Sequence, residues 1–152
     1  MAVILASSCL LGCECRYKGD GCKCDALIKL AESNKIIGVC PEQMGGLPTP
    51  RDPAERQGDK VISCAGKDVT KAYTKGAETA LYFAKLNHVD FAVMKAKSPS
   101  CGKGLIYDGT FTGNKIPGNG VTVELLNANG IPVFTEDLSL IHISEPTRRS
   151  YI

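Results

Sequence analysis

Eight cysteines occur in 152 residues: Cys9, Cys13, Cys15, Cys22, Cys24, Cys40, Cys64 and Cys101. The start, MAVILASSCLLGC, is apolar but has no basic n-region, and its serines and glycine suit a strand and loop better than a signal peptide. We therefore expect a cytoplasmic protein whose thiols stay reduced, so that metal binding or thiol chemistry is a better reading than a disulfide framework. His88 and His142 are the only histidines, and no Cys/His finger spacing exists. Soft thiolates in such number favour zinc or an iron–sulfur cluster. A dithiol oxidoreductase is disfavoured because the chain has no CxxC.

Cys101 lies in KSPSCGKG (residues 97–104), where Pro99 and Gly102 stop a strand or helix from running through. The elements that must place it are legible on either side. AVILASS (2–8) suits a buried strand. ALIKLAESN after Asp25 has helical spacing, and KIIGV (35–39) reads as a second buried strand ending at Cys40. PEQMGGLPTPRDPAE is too broken for regular structure, and KVISC (60–64) suits a short accessory strand. The clearest helix spans 70–87, where Tyr73, Ala77, Ala80, Leu81 and Ala84 form one amphipathic stripe. A third strand falls within 88–96, a turn-rich stretch at LIYDGTFTG, a helix at 118–130 and a fourth strand at 131–136.

Alternating strands and helices predict an α/β, flavodoxin-like or Rossmann-like three-layer fold with a small parallel sheet of about four strands, order 2-1-3-4. Ligands of such a sheet bind beyond the carboxyl ends of its strands. Cys9 follows the first strand, Cys40 ends the second and Cys101 follows the third, so three thiols distant in sequence should meet in one crevice. Cys15 is the reserve for that set. The CxC pairs Cys13/Cys15 and Cys22/Cys24 read as incidental loop thiols or, less readily, a second structural zinc site. Cys64 reads as a buried apolar residue. Net charge is +2, with 43% apolar and 22% charged residues, which gives no reason to expect a nucleic-acid partner. No apolar run approaches the roughly 18 residues of a membrane span. Oligomeric state is not legible.

SSCLLG (7–12), CRY (15–17), VCPEQMGGLPTPR (39–51), GKDVT (66–70), KSPSCG (97–102), IYDGTFTG (106–113) and GNGVTVELL (118–126) occur in that order. On these motifs the chain resembles the thiouracil desulfurase family over about residues 3–136. The resemblance implies a [4Fe–4S] cluster held by three cysteines, its fourth iron open to the sulfur of a small thiolated nucleobase. Its motif cysteines fall on Cys9, Cys15, Cys40 and Cys101; with the strand-end reading, this singles out Cys9, Cys40 and Cys101. Such a site polarises the thiocarbonyl as a Lewis acid, and water replaces the sulfur without electron transfer. Glu42, two residues after Cys40, is the candidate general base, and Ser100 the candidate proton donor. Ser8, Ser98 and the backbone at Gly102 are candidates for binding substrate. The blander readings are a solvated loop carboxylate for Glu42 and a turn serine bonding its own backbone for Ser100. Arg51 and Lys97 read as partners of loop carboxylates, Asp108 as a turn residue and His88 as a helix C-terminal cap. Two rival functions remain: an iron–sulfur sulfur-transfer protein, and a non-catalytic module with a four-cysteine zinc site completed by Cys15.

LSLIHISEPTR near the end matches the translation of a common sequencing adapter. We expect a single desulfurase domain over residues 1–137 and a foreign tail over 138–152, which leaves His88 as the only native histidine.

Overall fold

The computed structural model describes residues 1–136; the expected tail and His142 lie outside them. Strand β1 (Val3–Ser7) runs into a 3-10 turn (Ser8–Leu11), followed by a cysteine-rich loop, α1 (Asp25–Leu30), β2 (Lys35–Val39) and a one-turn helix, α2 (Pro41–Met44). Next come the hairpin β3 (Ala54–Gln57) and β4 (Lys60–Ser63), the long helix α3 (Thr70–Leu86) and β5 (Phe91–Met94). A second hairpin, β6 (Leu105–Tyr107) and β7 (Lys115–Pro117), precedes α4 (Val121–Ala128) and β8 (Val133–Thr135). Among the described residues no helix is long and apolar enough to cross a membrane.

The main sheet has four parallel strands in the order β2-β1-β5-β8. Counted along these four strands, that is the expected 2-1-3-4. The central strands are apolar on both faces because both are covered. Ile4, Ala6, Phe91 and Val93 face a core that includes Leu10, Leu27 and Leu30. Leu5, Ala92 and Met94 face the opposite core, with Ala80, Ala84, Val123 and Leu126. The alternation follows from the two-residue period of a strand. Each fully buried Leu, Ile or Phe in these layers contributes roughly 1.5–3 kcal/mol.

Three expectations are corrected. The stretch after Cys40 is not wholly irregular, since Pro41 at the first position starts α2. Turn-rich LIYDGTFTG supplies β6, which pairs with β7. Cys64 is exposed rather than buried, because it lies past the last paired residue of β4, in the tight turn that Gly66 closes onto Ser63. His88 does end a helix: at φ 51 it follows α3 in the left-handed conformation, its N–H on the Lys85 carbonyl.

The contact between α2 and α3 matters most for the site. A Cβ on Gly76 would overlap the Pro41 carbonyl, and one on Gly45 would overlap the Ala72 carbonyl. Two glycines therefore let α2 lie backbone to backbone on α3. That approach carries Cys40 and Glu42 over the face of α3 that bears Tyr73.

Candidate metal centre

Each expected cysteine of the central three sits just past a strand's carboxyl end. Cys9 is in the 3-10 turn after β1, Cys40 follows β2, and Cys101 lies in the loop after β5. β1 and β5 are neighbours across the point where the strand order reverses, the usual ligand crevice of such a sheet. All three line one cavity of about 480 Å³, together with Cys15, Ser7, Ser8, Glu42, Arg51, Tyr73 and Ser98. Tyr17, Tyr107 and Phe111 contribute aromatic walls. The loop bearing Phe111 is pinned there because Glu55 Oε1 accepts the Gly109 and Phe111 N–H groups, at 2.9 and 3.2 Å.

The Cys40 thiol donates to the Cys15 carbonyl at 3.8 Å, and the Cys9, Cys15 and Cys40 side chains lie close enough to shift one another. The Cys40 side chain lowers the Cys15 thiol, but the Cys9 side chain and burial outweigh it and push it up to about 11. The Cys15 side chain, then burial, raises Cys40 strongly. Burial pushes Cys101 up to about 12, against hydrogen bonds from Ser7 and Ser100 that pull it down. A metal bound among them would hold these side chains as thiolates, since a coordinated thiol loses its proton outright.

The donor set also indicates which kind of metal fits. A tetrahedral zinc draws its sulfurs to about 2.3 Å from one point. Among the described residues no three Cys, His, Asp or Glu side chains gather closely enough to hold a single ion. Soft thiols gathered on one cavity wall are the donors an iron–sulfur cluster takes, its separate irons bound by separate thiolates. Cys9, Cys40 and Cys101, with Cys15 on the same wall, are donors of that kind. Cys13, on the outside, and Cys22 and Cys24, half-buried, are not on the cavity wall.

Glu42 faces the cavity from the first turn of α2. Its Oε2 accepts Arg51 Nε at 2.9 Å and the Tyr73 hydroxyl at 3.1 Å, and lies 2.9 Å from Arg51 Nη2 in the ion pair. Arg51 thus pairs with a loop carboxylate as expected, and that carboxylate is Glu42. Lys95, also on the wall, is held by Glu136 at 2.8 Å.

The two loop serines exchange places relative to expectation. Ser100 is fully buried, does not line the cavity, and shares a 2.7 Å hydrogen bond with Thr122 Oγ1. The reason is helix capping: the Pro99 and Ser100 carbonyls accept the Val121 and Thr122 N–H groups, seating this turn on the start of α4. Ser98 does line the cavity. Its Oγ accepts the N–H groups of Ser100 and Cys101, both at 3.1 Å, which turns its proton towards Glu42 Oε1 at 3.5 Å. Gly102, expected to offer its N–H to substrate, spends it on the Ser98 carbonyl at 2.8 Å. Ser8 lies on the cavity wall as expected.

Sequence reasoning missed the part played by Tyr73. One signal was available: a tyrosine in a helix stripe otherwise made of alanines and a leucine must find a partner for its hydroxyl once buried.

A doubly wound sheet with a cysteine-lined cavity at its switch point defines an α/β protein built around a thiolate ligand site. The sequence model of the 2-thiouracil desulfurase family matches residues 4–138, and the chain belongs to that family. It is 43% identical over 145 residues to the uncharacterized protein YbbK of Bacillus subtilis (strain 168), covering 89% of this chain and 96% of that one. It is also similar to a solved structure, the [4Fe-4S]-dependent thiouracil desulfidase TudS. The identity is 45% and the TM-score 0.86, with 90% of this chain and 92% of that one covered.

Proposed function

We propose that this protein is a non-redox desulfurase that converts thiouracil to uracil by hydrolysis, with a [4Fe–4S] cluster held by Cys9, Cys40 and Cys101. The observation that carries the reading is the meeting of these three strand-end thiols in one cavity with the carboxylate of Glu42. Family membership and the likeness to TudS support the cluster and the substrate. Bound there, the cluster supplies a Lewis acid with a preference for sulfur over oxygen.

The chain's own residues do the rest. Glu42 Oε1, free of the ion pair that engages Oε2, takes the proton of a water as it attacks the carbon that bears sulfur. The Ser98 hydroxyl, fixed by two backbone N–H groups, is the proton donor in the place expected for Ser100. Tyr17, Tyr107 and Phe111 offer faces for a planar base. A carboxylate placed to activate water favours hydrolysis over sulfur transfer to a partner, which needs no such group.

The test is desulfuration of 2-thiouracil by anaerobically reconstituted protein in water enriched in oxygen-18. Hydrolysis places one labelled oxygen in uracil for each hydrosulfide released. Unlabelled uracil, or sulfide released only when an acceptor protein is added, contradicts it.

A further inference from the structure

The carboxylate of Glu42 is held in an unsymmetrical way. Oε2 receives two hydrogen bonds, from Arg51 Nε at 2.9 Å and Tyr73 OH at 3.1 Å, with Arg51 Nη2 also 2.9 Å away in the ion pair. Oε1 receives only Ser98 Oγ at 3.5 Å, a long contact. Two donors occupy the two lone pairs of one oxygen and leave the other for a water or substrate proton. Neither partner is on the surface: Tyr73 is 2% exposed and the Arg51 side chain 6%. Arg51 is itself fixed, because Nη1 donates to the Pro48 carbonyl and Thr49 Oγ1 and Nη2 to the Cys15 carbonyl. Tyr73 is fixed by α3, three residues before Gly76, where α2 crosses.

We propose that Tyr73 and Arg51 are positioning residues that lock Glu42 through Oε2, so that Oε1 alone faces the reacting water. The inference rests on the reading of Glu42 as the general base. Without the Tyr73 hydroxyl the carboxylate rotates about its last bond, and either oxygen, or neither, meets the water at the right angle. Arg51 adds a second constraint. Its bond to the Cys15 carbonyl ties the base to the cysteine loop, so base and ligand segment move as one unit.

The experiment compares wild type, Tyr73→Phe, Arg51→Lys, Glu42→Gln and the Tyr73→Phe/Glu42→Gln double variant. Steady-state desulfuration of 2-thiouracil is measured beside iron content and thermal unfolding. Glu42→Gln is expected to lower kcat by about a hundredfold, as loss of a general base does. Tyr73→Phe removes one oxygen and should lower kcat by about tenfold, the size of one hydrogen bond to a charged group. KM and iron content should stay at the wild-type level. In the Glu42→Gln background the same change should cost nothing further, because the hydroxyl acts only through Glu42. Arg51→Lys keeps the charge but loses the fork, and should also lower kcat at unchanged KM.

A second readout needs no metal. In the infrared spectrum of the metal-free protein, the carboxylate band lost in Glu42→Gln should shift in Tyr73→Phe. If Tyr73→Phe fails to fold, Arg51→Lys decides the matter by kcat and by the same band. Wild-type kcat in Tyr73→Phe, losses that multiply in the double variant, or an unmoved band overturns the proposal. Wild-type activity in Glu42→Gln overturns the base assignment, and this inference with it. A damaged Glu42→Gln beside an unaffected Tyr73→Phe overturns this inference alone.

Discussion

At the scale of single residues, chemical type was easier to read than direction. Cys9, Cys40 and Cys101 could be expected in one crevice because a strand's end fixes the edge at which the following loop emerges, whichever way its side chains turn. Ser98 and Ser100 are two residues apart in one turn, and which of them faces the cavity depends on how that turn seats on α4. Nothing in KSPSCGKG encodes that contact, because the α4 segment lies some twenty residues further on. The placement separates their roles. Ser98→Ala should lower kcat while leaving iron content intact. Ser100→Ala should instead strand the buried Thr122 hydroxyl and lower stability by about 1–2 kcal/mol, with a smaller effect on rate. Paired kinetic and urea-unfolding measurements check both. Equal kinetic damage from the two variants would contradict the assignment.

At the scale of elements, the four parallel strands were legible as short apolar runs and the helices α1, α3 and α4 by their periodic apolar faces. The missed elements have no such face. α2 is one turn long and begins at Pro41, and β6 is held as much by β7 and the Glu55 contacts as by its own sequence. Their order comes from tertiary contacts, which a local pattern does not reveal. The same holds for the Glu42–Arg51–Tyr73 group, which joins three segments through the approach of α2 to α3. Gly76→Ala tests that approach. A methyl there meets the Pro41 carbonyl, so α2 must move away from α3. The expected cost is about 2 kcal/mol in urea unfolding, in the range of overpacked sites. Because Cys40 and Glu42 ride on that segment, activity should fall as well. Wild-type stability in Gly76→Ala would show that α2 is not seated as described.

At the scale of the whole molecule, the sheet order and the position of the site follow one rule: a doubly wound parallel sheet gathers the ends of its strands at a switch point. The described chain uses that edge up to its last residue, since Glu136 bonds the Ala96 N–H at 2.7 Å and Lys95 Nζ at 2.8 Å. The expected domain limit at residue 137 is therefore testable. A chain ended there should unfold at the wild-type temperature and load iron normally. A lowered melting temperature would assign residues 138–152 to the domain.

We propose that three thiols from three strand ends hold an iron–sulfur cluster, with Cys15 beside it rather than among its ligands. An anomalous difference map at the iron edge, from crystals grown without air after reconstitution, tests it most directly. Iron peaks are expected inside the cavity, bonded to the sulfurs of Cys9, Cys40 and Cys101 and not to that of Cys15. A single metal peak, zinc in place of iron, or a cluster bonded to Cys15 would contradict the claim.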